Sequence, residues 1–458
     1  MVINMKIAFL TLGCKVNYYE TEKMIGSLKE KGHDIVEFED EADVYVINTC
    51  TVTNIADRKS RQMIHRAKKN YPDAIVVAIG CYVESAGESG GVDPSVDIAY
   101  TNKDKYDFAE RLEQDVLSLM RSSVSTHDDA VAAEAGAIRI SDGDDGVTGQ
   151  LHRKSRTRAF IKIQDGCNQF CSYCLIPFVR GRGKLTSTPP DEVEREVLTA
   201  VGQGCHEIVL TGIHLSSYGV TEDRADAFVR EGGKALSGLI KRLDAIDGVQ
   251  RIRLGSLEPR IITEDWLAEL SDCESLCPHF HLSLQSGSDA TLGRMNRHYT
   301  CDEYADRVGL LRRFYDAPAI TTDVIVGFPG ETDEEFAETE AFLERIGFAE
   351  LHIFQYSMRS GTRAAAMDGQ VPPEIKKLRS ERLIEKAAGW RRSYIESQTK
   401  PVQDILFEEY ADLNGRRLLT GFNERYVRYG VSDEYAEKNG CLAGNICTVP
   451  QECLEYMQ

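Results

Sequence analysis

The sequence predicts an α/β protein in three parts: an N-terminal parallel α/β sheet, six further βα units, and a small all-β C-terminal domain. Short apolar strands alternate with amphipathic helices in residues 1–120 and again in residues 151–390, which is typical of parallel sheets. Residues 391–458 carry strand patterns instead. Residues 121–150 are rich in Ser, Asp, Ala and Gly and have few large apolar side chains, which predicts a flexible linker.

Each of the first three strand patterns ends in a cysteine. The strands run from Lys6 to Cys14, from Val44 to Cys50 and from Ala74 to Cys81, and helical stretches (Tyr18–Lys31 and Ile55–Tyr71) separate them. Right-handed crossovers bring the carboxyl ends of such strands to one edge of the sheet, where α/β proteins bind ligands. Any one of these cysteines is compatible with a small buried hydrophobe. Three at equivalent strand ends favour one shared metal or cluster site.

The most specific local pattern is a loop with three cysteines after the apolar segment RAFIKIQDG. Cys167, Cys171 and Cys174 have the spacing C-x3-C-x2-C. Thiols this close cannot pair as disulfides without strain. A structural zinc ion needs a fourth ligand, which the next few residues do not supply, although zinc stays an alternative. A 4Fe-4S cluster held by three cysteines leaves one iron open to a further ligand.

Strand patterns then recur and complete six βα units, counting the strand before Cys167. Further strands are predicted at His206–Gly212, Arg251–Ser256, His279–Gln285, Thr321–Gly327 and Leu351–Ser357, with helices at Pro190–Val201, Lys234–Ile246, Asp302–Tyr315 and Glu334–Ile346. In barrels built from such units the chemistry lies at the carboxyl ends of the strands. The residues at these ends are small or polar, and each also suits an ordinary turn. They are Thr211, Gly212, Ser256, Gln285 and Gly327.

The last long helix is predicted from Pro373 to about Gln398. Beyond it, the segments VQDILFEEY, LLTGFNERYVRYGV and NICTVPQECLEYM predict a small β-barrel. From Arg391 onward there are 8 Lys and Arg against 11 Asp and Glu, a net charge of −3. Four arginines are expected to form a basic strip on this acidic domain: Arg416, Arg417, Arg425 and Arg428.

The start of the chain and the number of cysteines indicate the compartment and the role of the thiols. The start of the chain runs straight into a strand without a signal peptide pattern, and no long apolar run predicts a membrane span, so a cytoplasmic protein is expected. Stable disulfides are rare in that compartment, which makes metal binding the better interpretation of 13 cysteines. The other seven fit no ligand pattern and are interpreted as structural: Cys205, Cys273, Cys277, Cys301, Cys441, Cys447 and Cys453.

The formal net charge of −19 argues against a nucleic-acid partner, but basic residues are concentrated near both cysteine sets. The helix after Cys50 contains Arg58 and Arg61. The segments 152–158 and 179–184 flank the second set and contain Arg156 and Arg182. Each patch alone suits a solvated helix face, and together they favour phosphate contacts.

The loop from Cys167 to Cys174 resembles that of the radical S-adenosylmethionine superfamily, in its spacing and in its place after the first strand of the unit. The resemblance implies a partial (β/α)6 barrel and a 4Fe-4S cluster whose open iron binds S-adenosylmethionine. It implies that Tyr173 neighbours the adenine of this cofactor. It also implies that the small and polar strand-end residues hold the rest of the cofactor: Thr211, Gly212, Ser256, Gln285 and Gly327.

Taken together, the two cysteine sets resemble the methylthiotransferases over nearly the whole chain. Three further stretches carry the resemblance: HLSLQSGSD (His281–Asp289), DVIVGFPGE (Asp323–Glu331) and FQYSMRSGTRAA (Phe354–Ala365). The family implies a second, auxiliary 4Fe-4S cluster on Cys14, Cys50 and Cys81. It also implies a C-terminal RNA-binding domain of the TRAM-like type, a cellular one-electron reductant as partner, and neither DNA nor a membrane as partner.

Two segments resemble those of the branch that acts on threonylcarbamoyladenosine. They are TLGCKVNYYE around Cys14 and NTCTVTNIADRKSRQ around Cys50. This branch implies transfer of a methylthio group to C2 of that nucleoside at position 37 of tRNA, with S-adenosylmethionine as methyl donor and radical source. Two alternatives within the family are isopentenyladenosine and a ribosomal-protein aspartate as targets. An alternative of another class is a non-catalytic iron–sulfur protein that binds RNA.

Overall fold

The computed structural model describes residues 4–51, 54–89, 91–123, 157–222, 224–398, 400–413 and 415–457. The chain divides into two compact units, Met1–Arg153 and Lys154–Gln458. The predicted linker lies outside the described residues from residue 124 onward, and so does Arg156. Across the described ranges, no helix is long and apolar enough to cross a bilayer.

Within its described residues, the first unit has five strands and four helices. The strands are β1 (Lys6–Thr11), β2 (Asp34–Val36), β3 (Val44–Thr49), β4 (Ile75–Gly80) and β5 (Ile98–Tyr100). The helices are α1 (Lys15–Glu30), α2 (Asn54–Asn70), α3 (Cys81–Ser89) and α4 (Phe108–Ser123). The three predicted strands are therefore β1, β3 and β4, and the two predicted helices are α1 and α2.

These strands pair in parallel in the order β2-β1-β3-β4-β5, with helices on both faces. Alternate side chains point to opposite faces, so Val46 packs with residues of α1 and α4 while Tyr45 packs with residues of α2. The chain leaves β1 towards one side of the sheet to form β2 and then returns to form β3 on the other side. The gap between β1 and β3 is thus the topological switch point, where open α/β sheets bind ligands.

The second unit begins with seven strands, which run from β6 to β12 in chain order. Their bounds are β6 (Arg158–Asp165), β7 (Thr186–Ser187), β8 (Glu207–Gly212), β9 (Arg251–Leu254), β10 (His279–His281), β11 (Ala319–Val326) and β12 (Glu350–Gln355). The helices around them are α5 (Ile176–Val179), α6 (Pro190–Gly202), α7 (Ala227–Arg230), α8 (Lys234–Asp244), α9 (Glu264–Leu270), α10 (Asp289–Arg294), α11 (Cys301–Phe314), α12 (Asp333–Ile346) and α13 (Pro373–Glu396).

Six of these strands form one parallel succession, which confirms the predicted partial barrel. β6, β8 and β9 pair in one parallel ladder, and β10, β11 and β12 pair in a second. Two isolated parallel bridges, Ile252–Leu276 and Leu257–Leu282, link the ladders. The main core fills the space between the strands and the outer helices and includes Leu210, Leu239 and Trp266.

The C-terminal part of the second unit is an antiparallel sheet, as predicted, with one short helix. Its elements are β13 (Val402–Leu413), β14 (Arg416–Phe422), β15 (Arg428–Ser432), α14 (Asp433–Asn439), β16 (Ile446–Pro450) and β17 (Glu455–Tyr456). The strand order is β16-β13-β14-β15-β17. A small core of its own holds the sheet together and includes Phe407, Leu419 and Val431.

The loop between β14 and β15 docks onto the amino ends of the barrel strands. Arg253, in β9, donates to the carbonyl oxygens of Glu424 (3.1 Å) and Asn423 (3.3 Å). Its guanidinium also lies over the Tyr426 ring, 4.7 Å from the centroid, which is a cation–π contact. Arg251 donates to the carbonyl of Phe422 at 3.0 Å. The sheet is therefore fixed to the closed end of the barrel, opposite the edge where chemistry is expected.

Glu207, the first residue of β8, holds these arginines in place. Its fully buried carboxylate contacts Arg253 Nε and Arg158 Nε, each at 2.9 Å. Burial alone would raise the pKa of Glu207, but Arg253 and Arg158 outweigh it and lower the pKa to about 2. The carboxylate is therefore charged in the folded protein and balances a buried cluster of guanidinium groups.

Two expectations about surface cations are corrected by this interface. Arg425 is 4% exposed and donates to the carbonyl oxygens of Asp316 and Ala317, so it does not belong to a basic strip on the surface. Arg158, the last residue of the basic segment 152–158, is buried against Glu207. Sequence alone does not separate a guanidinium that binds phosphate from one that joins two parts of the chain.

We expect the substitution Glu207→Gln to lower the free energy of unfolding of the second unit by about 3–5 kcal/mol, because it leaves buried arginines without a counter-charge. Calorimetry of the full chain measures this. The matched control is Glu455→Gln, which breaks a partly exposed ion pair with Arg416 and should cost at most about 1 kcal/mol. Equal losses of unfolding free energy in the two variants would contradict the role of Glu207 as the counter-charge of the buried arginines.

Candidate cluster sites at two strand edges

The first three cysteines lie at one edge of the N-terminal sheet. Cys50 follows β3 directly, Cys81 follows β4 directly, and Cys14 follows β1 after Leu12 and Gly13. Because β1, β3 and β4 are adjacent and parallel, their carboxyl ends meet at this edge. Cys50 and Cys81 are buried, whereas Cys14 is exposed. The site therefore combines two enclosed thiols with one that solvent reaches.

Gly13 lets two of these cysteines approach each other. A β-carbon at Gly13 would lie 2.6 Å from Cβ and 2.7 Å from Sγ of Cys50, and the residue has a φ of +103°. Both values exclude an ordinary side chain at this position. Cys14, the next residue, is thus held beside the Cys50 thiol. The contact lies at the switch point between β1 and β3.

Two buried amide side chains form hydrogen bonds with the backbone next to this sheet edge. Asn17 donates to the carbonyl oxygens of Leu12 (2.8 Å) and Thr49 (3.0 Å), the residues just before Gly13 and Cys50. Asn48 in turn donates to the Asn17 carbonyl at 3.0 Å. Asn17 therefore joins the two strand ends that present the cysteines. Sequence alone does not single out Asn17, and its place in the segment TLGCKVNYYE is the available signal.

A buried ion pair lies in the same layer. Lys105 Nζ contacts Glu20 Oε2 at 2.7 Å, and the two side chains are 4% and 7% exposed. Lys105 also donates to Asn17 Oδ1 at 3.4 Å, and its Nζ would lie 3.4 Å from a β-carbon built on Gly80. Because neither buried charge is stable without the other, the pair keeps Lys105 Nζ beside Gly80, the residue before Cys81.

The second cysteine set lies in the loop after β6. Gly166, with a φ of +81°, begins the loop, and a β-carbon there would lie 1.9 Å from the Lys184 carbonyl oxygen. Only glycine lets the loop turn against the segment just before β7. The three cysteines are half-buried. A charged group lies beside one of them, since Arg297 Nη1 is 3.4 Å from Cys171 Sγ.

Burial keeps two of these thiols, Cys167 and Cys174, protonated when nothing is bound to them. Burial, together with the nearby Cys171 thiol, raises the pKa of Cys167 to about 12. Burial raises the pKa of Cys174 as well, and Cys171 and Cys167 add to it. The three cysteines lie within one loop of eight residues, Cys167 to Cys174. Such a set is a poor ionic site by itself, but it suits a metal cluster that takes up the thiolates.

Arg297 is held beside Cys171 by a buried network. Its Nη2 contacts Glu258 Oε2 at 3.0 Å, and its Nε donates to the Tyr299 hydroxyl at 2.9 Å. Burial would raise the pKa of Glu258, but Arg297 and Arg260 lower it. The guanidinium is thus fixed, and it places a positive charge next to a thiol that becomes negative on binding a metal. No local pattern in the sequence points to Arg297.

The residues predicted to hold the cofactor all follow or end barrel strands at the carboxyl edge. Thr211 and Gly212 end β8, Ser256 follows β9 and is exposed, and Gly327 follows β11. Gln285 lies beyond β10, is 8% exposed and pairs with β11 through its backbone. Their places on one edge are consistent with the prediction, and their contact with the cofactor stays a prediction.

Two of these residues and Tyr173 have distinctive surroundings. Gln285 has a φ of +74°, which strains a residue with a side chain and is typical of functional sites. A β-carbon at Gly327 would lie 2.3 Å from Cγ of Lys376, so α13 approaches this strand end closely. Burial raises the pKa of Tyr173 well above its ordinary value, and its ring contacts Phe328.

The predicted substrate-binding arginines are distributed over both units. Arg58 and Arg61 are exposed on α2, where Arg61 pairs with Asp57 at 3.1 Å. Arg182 is exposed in the turn after α5, with a φ of +51°. In the same segment Arg180 is buried beside Asp165, so the basic run 179–184 is not uniformly a surface. The seven remaining cysteines lie in or against hydrophobic cores or are buried.

Comparison with known proteins matches both units. The model of Uncharacterized protein family UPF0004 matches residues 6–99, and the model of the Radical SAM superfamily matches residues 161–343. Threonylcarbamoyladenosine tRNA methylthiotransferases of Bacillus subtilis and Aquifex aeolicus are 39% and 37% identical to this chain. Both alignments cover 92% of it, and 89% and 96% of the relatives.

A relative with another named substrate is more distant. The tRNA-2-methylthio-N(6)-dimethylallyladenosine synthase of Clostridium botulinum (strain Okra) is 33% identical over 82% of this chain and 80% of that protein.

In the cluster-free, reduced chain we expect iodoacetamide to alkylate Cys14 at least about tenfold faster than Cys50 or Cys81, because the reagent needs an accessible thiolate. Cys167 should be slow as well, since a pKa of about 12 leaves little thiolate at pH 8. Mass spectrometry of peptides after timed quenching measures the order. Equal rates at Cys14 and Cys50 would contradict the described burial.

Proposed function

Because this chain belongs to the family of radical S-adenosylmethionine methylthiotransferases, we propose that it methylthiolates C2 of N6-threonylcarbamoyladenosine at position 37 of tRNA. S-adenosylmethionine is both the methyl donor and the source of the radical. The observation that carries the proposal is the presence of two separate sets of three cysteines, each at a strand edge.

The choice of nucleoside is supported by the relatives. Identity is higher to the two threonylcarbamoyladenosine enzymes, at 39% and 37%, than to the dimethylallyladenosine synthase, at 33%. The higher values also extend over 92% of the chain. The segments around Cys14 and Cys50 point to the same branch.

Each cysteine set suits a 4Fe-4S cluster. Cys167, Cys171 and Cys174 would hold the first, and the edge of Cys14, Cys50 and Cys81 would hold the second. When bound, the clusters supply one-electron cleavage of S-adenosylmethionine and a sulfur atom for transfer, which no side chain provides. An external one-electron reductant is required.

The side chains of the protein position the cysteines and the cofactor. Arg297, fixed by Glu258, keeps a positive charge 3.4 Å from Cys171 Sγ. Gly166 and Gly13 permit the tight turns that present the cysteines. The carboxyl edge of the barrel offers Thr211 and Gln285 as hydrogen-bonding groups for the cofactor. These side chains orient the reactants, and the radical chemistry itself belongs to the cofactors.

RNA contact is supported by exposed aromatic rings beside the radical loop. Phe170 and Phe178 are 42% and 43% exposed, and their ring centroids are 5.7 Å apart. Exposed rings of this kind stack on the bases of single-stranded RNA. Arg182 lies near them in sequence and adds a positive charge. These features offer stacking surfaces and a local positive charge beside the radical loop, although the chain as a whole carries a net charge of −19.

We expect Gly13→Ala to lose the auxiliary cluster and to lower the iron content of the reconstituted chain from about eight to about four atoms, because the new β-carbon clashes with Cys50. The matched control is Gly26→Ala in α1, where a β-carbon meets nothing within 4 Å. Iron and sulfide analysis after anaerobic reconstitution measures the effect. A Gly13→Ala chain with full iron content would contradict the assigned site.

In a host that lacks this gene, 2-methylthio-threonylcarbamoyladenosine should disappear from tRNA and its unthiolated precursor should rise. Complementation with the natural chain restores it, whereas Cys14→Ala or Cys167→Ala does not. Mass spectrometry of tRNA nucleosides measures this. Loss of 2-methylthio-isopentenyladenosine instead, or of a ribosomal-protein modification, would assign the other branches. A reduced, cluster-loaded chain that releases no 5′-deoxyadenosine would favour the non-catalytic RNA-binding protein.

A further inference from the structure

Three metal-binding side chains that the proposed reaction does not use converge on the inner face of the barrel. His281 ends β10, Asp323 lies in β11 and His352 lies in β12, on three adjacent parallel strands. Their ligand atoms all lie within 4.8 Å of one another. The strand register brings them together, since Asp323 pairs with His352 and His281 pairs with Thr321, two residues before Asp323.

All three side chains point to the same face of the strands. Their neighbours in sequence pack against the core beneath the outer helices: Phe280, Leu282, Val324, Leu351 and Ile353. Alternation along a strand directs His281, Asp323 and His352 to the opposite, inner face. Asp323 is three residues before the end of β11, about 10 Å along the strand from the edge where the cofactor is expected.

The surroundings of His281 favour a cation. Its Nδ1 lies 3.0 Å from Thr321 Oγ1, and its Nε2 lies 3.4 Å from Asp323 Oδ2. Nε2 is buried and makes no hydrogen bond within the described structure. In the tautomer that donates Nδ1–H to Thr321, the Nε2 lone pair faces the carboxylate. Two electron-rich atoms at this distance repel unless a cation lies between them.

We propose that His281, Asp323 and His352 bind a divalent transition-metal ion inside the barrel. Two ligands at about 2.0–2.1 Å from a tetrahedral zinc ion are about 3.3 Å apart, close to the observed 3.4 Å between Nε2 and Oδ2. Two histidines and one carboxylate are a ligand set of catalytic zinc and of non-heme iron. The set contains no sulfur, so it differs from both cysteine sites.

The hydrogen bond to Thr321 supports this assignment. Metal-binding histidines usually donate their second ring N–H to an oxygen, which fixes the tautomer and turns the other nitrogen towards the metal. His352 is exposed, and its ring centroid lies 5.9 Å from that of His281, so it completes the set by a small rotation. A tetrahedral ion held by three protein ligands keeps one coordination position for water or for an oxygen of a bound molecule.

The test uses the full chain with both clusters loaded, dialysed anaerobically against Zn²⁺. One zinc per chain is expected, with nitrogen and oxygen ligands and no sulfur by X-ray absorption. His281→Ala and Asp323→Asn should lose it with unchanged iron content, and Thr321→Val should weaken the affinity by about 10–100-fold. His65→Ala, an exposed histidine of α2, is the matched control and should keep it.

Several outcomes would overturn the proposal. Absence of bound zinc would mean that a proton alone relieves the contact between His281 and Asp323. Zinc with sulfur ligands would place it on the cysteines. Zinc that persists in both His281→Ala and Asp323→Asn would place it elsewhere. None of these results depends on the nucleoside that the enzyme modifies, because the readout is metal content and not activity.

Discussion

Parallel strands end at one edge of their sheet, and both cysteine sites depend on this constraint. In the N-terminal unit it unites cysteines that are 36 and 31 positions apart in the chain, Cys14, Cys50 and Cys81. In the barrel it aligns the cysteine loop after β6 with the ends of β8, β9 and β11. The same register brings two histidines and an aspartate together inside the barrel. Side chains far apart in sequence thus become neighbours without a dedicated loop.

Charge in this protein serves two different purposes. The total of −19 suggests little affinity for RNA, yet many cations are used internally. Arg158, Arg251 and Arg253 join the barrel to the C-terminal sheet around Glu207, and Arg297 lies beside Cys171. Other arginines stay exposed, among them Arg58, Arg61 and Arg182. In the proposed function, an RNA loop would meet the exposed rings of Phe170 and Phe178 together with local cations such as Arg182.

The sequence is sufficient to predict those strands whose pattern lies within a few consecutive residues. Short apolar runs that end in a turn residue or a cysteine are recognisable in the sequence. This pattern predicts β1, β3, β4 and the barrel strands. The edge strands β2 and β5 have three residues each, too few for a period.

Contacts between distant parts of the chain were not predictable. Arg297 meets Cys171 across 126 residues, and Arg253 meets Asn423 across 170. Arg425 was expected at the surface and is buried, because nothing near it in sequence indicates the barrel it docks against. The support that Asn17 gives to two strand ends likewise appears only once β1 and β3 are paired.

The most direct test of the two-site account is spectroscopy of two triple variants under anaerobic, reducing conditions. With Cys14, Cys50 and Cys81 replaced by alanine, the account predicts one remaining 4Fe-4S signal, release of 5′-deoxyadenosine and no methylthio product. With Cys167, Cys171 and Cys174 replaced, it predicts one remaining cluster and no release of 5′-deoxyadenosine. Two clusters in either variant, or methylthio product from the first, would contradict it.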